Sequence, residues 1–550
     1  MALLVGRQPQ RRLVRSVTDG IGERWWEGAV IYQVYPRSFA DANGDGIGDL
    51  AGITSRLDHL RGTDASLGVD AVWLSPIFPS PLADFGYDIS DYTDVAPEFG
   101  TLADLDALIA AGHDRGLRVL LDLVPCHVST EHPWFVEARA SRDSQRRDWF
   151  IWADPSPSGG FPSNWDSVFG GSAWEWDDAS GQYYLHTFYR EQADLNWRNP
   201  DVAGAMAEVM RFWLSRGVDG FRVDAIFAAI KDDLLRDNPP DRRAGAIPGL
   251  APEGKQDPLW SMSRPEVHDV VRHLRAVAGE FPGRVLVGEA YVPVEELALY
   301  LGGGSDDQFH LAFDFELLVS PWKHQDLMLA IERAEALHPP GSWPTYAISN
   351  HDQRRHATRW GEHRARAAAF LLLTLRGVAV LYAGEEIGMV DADPSILPSP
   401  SFDRAGRDGP RTPMQWDAGP GGGFTRGTPW LPLVDAETRN VAAQAADPGS
   451  LLSLYRRLIA ARRGSPALAR GTHRSIFGVA PEVLAWVREL NDERLLVLLN
   501  TGDETRICDL GAVPERAGRV LVATGDRQGA VTFDGLELKA LEGIVLRLAP

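Results

Sequence analysis

Cysteine is nearly absent from this chain: only Cys126 and Cys508 occur in 550 residues, far apart in sequence. That scarcity excludes a disulfide framework and a cysteine metal site, and makes a reducing, cytoplasmic setting the expectation. Positive charge is also short, with 55 Lys and Arg against 76 Asp and Glu and a formal net charge of −21. A nucleic-acid or anionic-membrane partner would demand a basic surface, so neither is expected, and a neutral small substrate fits better. Long apolar runs are missing as well. The basic N-terminus MALLVGRQPQRRLVRSV holds only the run ALLV, far shorter than a signal-peptide core, so residues 1–24 read as a loose tail. Repeats of fixed period are not found, and nothing in the sequence sets an oligomeric state.

What is present is a globular composition, 44% hydrophobic and 24% charged, on a chain too long for one ordinary core. From about residue 29, short apolar runs alternate with longer amphipathic stretches: AVIYQVY, DAVWLSP, RVLLDLV, VDGFRVD, RVLVGEA, FHLAFDF, TYAISN and GVAVLYAGEE. Eight such strands with helical segments between most of them predict an α/β fold, a parallel (β/α)8 TIM barrel. The barrel is assigned to residues 25–127 and 194–468. An irregular stretch rich in Gly, Ser, Pro and Trp breaks the rhythm, so 128–193 is read as an inserted lobe after strand 3. A second Pro- and Gly-rich insertion, about 391–450, follows strand 8. Residues 469–550 read as short strands with turns, a C-terminal antiparallel β-sandwich. Trp174 and Trp176 in the lobe are expected to pack it rather than stack on a ligand.

Three strand ends carry an acid: Asp224 after GFRV, Glu289 in VLVGEAY and Asp352 in AISNHDQ. The C-terminal mouth of a barrel is where active sites are built, and three carboxylates converging there cost like-charge repulsion unless they serve chemistry. Arg222 leaves the same strand face as Asp224 and is expected to hold it ionised, as a nucleophile requires. Glu289 lies among Val287, Gly288 and Ala290, an apolar setting expected to keep it protonated as a general acid. Two carboxyls whose environments push them apart are the signature of glycoside hydrolysis. The loop DANGDGIGD offers oxygens from Asp41, Asn43, Asp45, the Ile47 carbonyl and Asp49, a set of hard ligands at alternate positions that suits a structural Ca2+ or Mg2+. It is not an EF-hand, because Gly52 stands where the twelfth-position Glu would be and a strand precedes it; the alternative is an unmetallated turn. No organic cofactor is expected.

Nine motifs in order, YQVYPRSFADANGDGIGDL, DFGYDISDY, DLVPCH, QADLN, GFRVDA, VGEA, SNHD, GEEIGM and RTPMQWD, resemble the α-amylase superfamily, glycoside hydrolase family 13. Within it the chain is similar to bacterial α-glucosidases and oligo-1,6-glucosidases. The resemblance implies a retaining mechanism with Asp224 as nucleophile, Glu289 as acid/base, and Asp352 binding sugar hydroxyls and stabilising the transition state. It further implies that His127 and His351 donate hydrogen bonds to hydroxyls of the innermost sugar, on which Tyr87 stacks. Asp84 with Arg411 would grip the 4-hydroxyl of that sugar, closing the pocket for exo action on small α-glucosides. The metal loop of similar enzymes holds a structural cation away from the chemistry. A departure is Cys126, where the family usually has Asn before the first histidine. Ala225 after the nucleophile goes, in similar enzymes, with α-1,4 rather than α-1,6 substrates. Transglycosylation is open to the same intermediate, and a sucrose- or trehalose-acting enzyme is the runner-up, its acceptor-side residues expected in 226–265. A non-catalytic transporter subunit of this fold would carry a membrane span, which this sequence does not offer.

Overall fold

The computed structural model describes residues 24–240 and 256–548. All of the expected tail except Arg24, and residues 241–255 of the expected acceptor-side segment, lie outside the described residues. The eight predicted strands are β1 (Val30–Val34), β2 (Ala71–Leu74), β3 (Arg118–Leu123), β4 (Gly220–Val223), β5 (Val285–Gly288), β6 (Leu311–Asp314), β7 (Thr345–Ala347) and β8 (Val378–Tyr382). Each pairs in parallel with the next, and β8 pairs with β1 to close the barrel.

Alternation along these strands sorts side chains into two layers. Ile31, Trp73, Leu120, Val287, Phe313 and Val380 pack with one another in the barrel interior, whereas Tyr32, Val72, Leu121, Phe221, Leu286 and Leu381 join the core beneath the helices. The inward row turns polar toward the C-terminal ends, at Gln33 on β1, Asp122 on β3 and Arg222 on β4, all buried. An apolar plug thus fills the bottom and middle of the barrel, and its charged groups collect at the mouth. Gly220 begins the inward row of β4, and a Cβ there would run into the backbone of Val285 on β5.

Helix signals in the sequence are ordinary ones. The helix Leu102–Asp114 starts at a capping box between Thr101 and Asp104. The helix Pro200–Ser215 has Asn199 as its cap, Pro at its first turn, and Val202, Met206, Val209 and Trp213 buried along one face. In the lobe, strands Trp152–Ala153, Trp174–Asp177 and Gln182–Leu185 make a three-stranded sheet. Its root is an antiparallel pair, His127–Ser129 with Gln192–Asp194, so the lobe leaves and re-enters beside the barrel mouth. Trp174 packs inside the lobe as expected, stacked on Trp165, but Trp176 is 42% exposed; two residues apart on a strand, the two rings leave the same face, and Trp176 lies farther along it, packed against Tyr183.

The C-terminal region holds a six-stranded antiparallel sheet of β9 (Thr472–Ser475), β10 (Val483–Leu490), β11 (Glu493–Asn500), β12 (Ala517–Ala523), β13 (Ala530–Thr532) and β14 (Gly543–Leu548), in the order β9-β10-β11-β14-β12-β13. A two-stranded ribbon, Arg506–Ile507 with Glu537–Leu538, accompanies it, and a separate apolar core includes Leu496, Leu498, Leu538, Ile544 and Leu546. Both cysteines are buried and unpaired. Among the described residues no helix is long and apolar enough to cross a membrane.

Candidate active site

The register of the barrel places Asp122 of β3 directly beside Arg222 of β4. One guanidinium nitrogen of Arg222 donates to Asp122 and to Asp224, each at 2.6 Å, and the other pairs with Glu289. Asp122 also accepts from the Trp73 indole at 3.0 Å and from the Tyr87 hydroxyl at 3.3 Å. Glu289 accepts the backbone N–H of Ala225 at 3.0 Å. Arg222 therefore serves three carboxylates, where the sequence reading assigned it to Asp224 alone.

That sharing sets the electrostatics. Burial pushes Asp224 up to about 7 despite Arg222, with Asp122 and Asp352 adding to the rise. Burial likewise raises Glu289 to about 8, against Arg222 and with Asp224 and Asp352 adding, and raises Asp122 to about 6. Glu289 holds its proton more tightly than Asp224, the order an acid and a nucleophile need. The hold of Arg222 on Asp224 is only partial, because one cation cannot offset three buried anions. Asp352 is the opposite case: burial alone would raise it, yet His351, Arg407 and Arg411 hold it far below the usual carboxylate range.

Around these acids the predicted residues gather. Tyr87, His127, Asp84, Asp224, Ala225, Glu289 and Asp352 line one cavity of about 160 Å³, together with Phe169, Phe188 and Arg407. The expected pair of Asp84 with Arg411 is not formed. Arg407 takes that place, donating to Asp84 at 2.5 Å and to Asp352 at 2.8 Å. Arg411 lies deeper, 1% exposed, and donates to the His351 carbonyl at 2.8 Å and to Asp352 at 3.2 Å. Three arginines within eight residues left the sequence no way to say which reaches the pocket. Asp84 also accepts from Gln192 at 3.0 Å, and its turn is tied by Asp88, which accepts the N–H groups of Ala83 and Asp84.

His351 stacks on Tyr87 with ring centroids 5.4 Å apart. Its Nδ1 meets the Gln33 amide at 2.8 Å and its Nε2 meets the Tyr87 hydroxyl at 2.7 Å, so neither nitrogen is a free donor to a sugar. Burial, together with Arg411 and Arg222, keeps the ring neutral, at about 3. His127 Nε2 lies 3.0 Å from the Tyr87 carbonyl, while its buried Nδ1 has no partner among the described residues. Sequence reasoning missed Asp122, Gln33, Gln192 and Arg407. The available signal for the first two was the inward row: each sits near the C-terminal end of a barrel strand, in phase with the apolar interior residues.

The loop carrying Asp41, Asn43, Asp45, Ile47 and Asp49 lies apart from this cluster. Asp41 accepts the N–H groups of Gly44 and Gly46 and the hydroxyl of Thr425. Asp49 accepts from Ala42, Asn43 and Gly52, and Asp45 accepts from Ile47. The donor atoms are the hard oxygens that Ca2+ or Mg2+ takes. Among the described residues, however, no three acidic, histidine or cysteine side chains gather as a metal cluster.

Residues 33–471 match the family described as Alpha amylase, catalytic domain. A probable alpha-glucosidase of Rhizobium meliloti (strain 1021) is 46% identical over 511 residues, 88% of this chain and 91% of that one. An oligo-1,6-glucosidase of Parageobacillus thermoglucosidasius is 35% identical over 570 residues, 95% of this chain and 99% of that one. Among solved structures, an alpha-glucosyl transfer enzyme superposes with a TM-score of 0.86 at 39% identity, covering 96% of this chain and 99% of the other.

Proposed function

The chain belongs to the α-amylase family and is a glycoside hydrolase, and from that premise we propose that it is a retaining, exo-acting α-glucosidase that removes terminal α-1,4-linked glucose from short oligosaccharides and glucosides. The observation that carries the mechanism is the shared guanidinium of Arg222. Two carboxyls bound to neighbouring nitrogens of one guanidinium favour the close approach of a retaining pair over the roughly 6.5–9.5 Å that an inverting pair needs to admit a water. Asp224 attacks the anomeric carbon while Glu289 delivers its proton to the departing glycosidic oxygen. The C–O bond to the leaving sugar breaks as the bond to Asp224 forms. Glu289, now ionised, takes a proton from an incoming water, which displaces Asp224 and restores both groups. Asp352 stays anionic beside two arginines and carries the hydroxyl contacts that strengthen as the ring gains positive charge.

Exo action is supported by Arg407, which bridges Asp84 and Asp352 across one end of the pocket. A chain extending past the 4-hydroxyl would have to break that bridge. Ala225, small and at the pocket wall, supports the α-1,4 preference, since one or two added methyl groups there are worth about 1–3 kcal/mol between aglycone orientations. Transglucosylation is a second outlet of the same intermediate, and the likeness to a glucosyl-transfer enzyme favours it. We further propose that the loop of Asp41, Asn43, Asp45, Ile47 and Asp49 holds a structural Ca2+ or Mg2+, which would add rigidity and no chemical step. The buried free thiols agree with the cytoplasmic setting proposed for the protein.

Incubation with maltose, isomaltose, sucrose and trehalose, with Asp224→Asn alongside, tests the reading. Glucose should appear fastest from maltose and not at all with the variant. Faster isomaltose or sucrose turnover would overturn the assignment of linkage.

A further inference from the structure

Ala225 links the two carboxyls: it follows Asp224 in the chain and its N–H reaches the Glu289 carboxyl. Its backbone is left-handed, φ 41° and ψ 34°, a conformation that a residue with a Cβ holds only when its surroundings impose it. Every polar group of this peptide is engaged. The Ala225 N–H donates to the Glu289 carboxyl at 3.0 Å, the next N–H, of Ile226, donates to the Glu289 backbone carbonyl at 3.1 Å, and the Asp224 N–H donates to Leu123 at 2.8 Å. The Ala225 carbonyl accepts the Ala228 N–H at 2.9 Å and, as a second donor, the thiol of Cys126 at 3.0 Å; the same sulfur lies 3.9 Å from the Asp224 carbonyl. Cys126 is 1% exposed, so water cannot replace it as the donor. Burial raises its thiol well above the usual range, with Lys231 opposing and Asp224 adding; the S–H bond persists wherever the enzyme is folded.

We propose that Cys126 is a positioning residue that clamps the left-handed Ala225 peptide and thereby aims one N–H at the acid while fixing the nucleophile one residue earlier. The inference rests on the glycosidase reading of Asp224 and Glu289, and it gives the departure at position 126 a role. With the clamp removed, the Ala225 carbonyl keeps only the Ala228 N–H, the left-handed turn loosens and its N–H draws away from Glu289. A hydrogen bond to the ionised form is lost, so the Glu289 pKa rises, the alkaline limb of the pH profile moves up, and the acid becomes weaker.

The experiment compares the full chain with Cys126→Ala, which removes the donor, and Cys126→Ser, which keeps one, after thermal unfolding has verified that both variants fold. On maltose, whose leaving group needs the proton of Glu289, Cys126→Ala should lose about tenfold in kcat with KM within about twofold, and its alkaline limb should lie at higher pH; Cys126→Ser should recover most of the loss. An unchanged kcat and limb in Cys126→Ala, or a Cys126→Ser as impaired as the Ala variant, would overturn the clamp. Hydrogen exchange of the peptide spanning residues 224–229 gives a readout independent of turnover: faster exchange in Cys126→Ala supports the clamp, and unchanged exchange refutes it. Wild type inactive on every glucoside would instead remove the glycosidase reading, and the exchange result would still decide whether Cys126 holds the turn.

Discussion

At the scale of single residues, the site works by placing more carboxylates than cations in a dry mouth. Glu289 is pushed up to about 8 and Asp224 to about 7. The proposed mechanism needs Asp224 ionised and Glu289 protonated, so kcat/KM should rise through the Asp224 value, fall through the Glu289 value, and peak between them. Asp122 raises Asp224 and competes for Arg222. Asp122→Asn removes a like charge, so the acid limb should move to lower pH; an unmoved limb would place Asp122 outside the titrating cluster. Glu289→Gln should lower kcat on maltose by roughly 10²–10⁴, and less on an aryl glucoside whose leaving group needs little protonation. Steady-state rates on the two substrates check this difference. Arg222 and Asp224 were legible in the sequence because two residues on one strand share a face. Asp122 was not, because its partnership depends on the register between β3 and β4, and a lone acid ending a strand is common.

Elements decide which loops close the pocket. The lobe contributes Phe169, Tyr189 and Glu191, and the insertion after β8 contributes Arg404 and Arg407. Arg407 lies over Phe169, Phe169 stacks on Tyr189 with centroids 4.1 Å apart, and Arg404 lies over Tyr189 and pairs with Glu191 at 3.0 Å. These contacts join two insertions that are more than two hundred residues apart in sequence. Arg404 is 51% exposed on its side chain, and exposed pairs contribute about 0.2–1 kcal/mol. Arg404→Ala should therefore leave the melting temperature nearly unchanged. Arg407→Ala breaks the bridge between Asp84 and Asp352, and should raise KM for maltose about tenfold or more while leaving the three acids in place. Equal effects of the two substitutions in steady-state kinetics would contradict the closure assigned to Arg407. The strands themselves were readable, since buried parallel strands are short apolar runs bounded by turns. The contacts between insertions were not, because neither loop has a periodicity that fixes where its side chains go.

Over the whole molecule, barrel and C-terminal sheet are packed together closely. Arg488 of β10, fully buried, donates to the carbonyls of Thr374 and Gly471, and Gly543 at the start of β14 lies against the ring of Phe370, where a Cβ would collide. Gly543→Val should destabilise by about 1–3 kcal/mol through overpacking, seen as a lower melting temperature with the pH profile of activity unchanged. A cation in the Asp41–Asp49 loop would act at this scale too: chelation should lower the melting temperature, and added Ca2+ or Mg2+ should restore it. Composition and strand count were enough to read a barrel followed by a β domain, whereas this interface depends on which side chains meet across the sequence.

The central claim is that Asp224 and Glu289 act from one shared guanidinium by double displacement. Proton NMR of the first glucose released from an aryl α-glucoside tests it most directly. The α-anomer should appear first and mutarotate later. If the β-anomer appears first, the carboxyls act through an inverting water and the assignment of Asp224 as nucleophile is wrong.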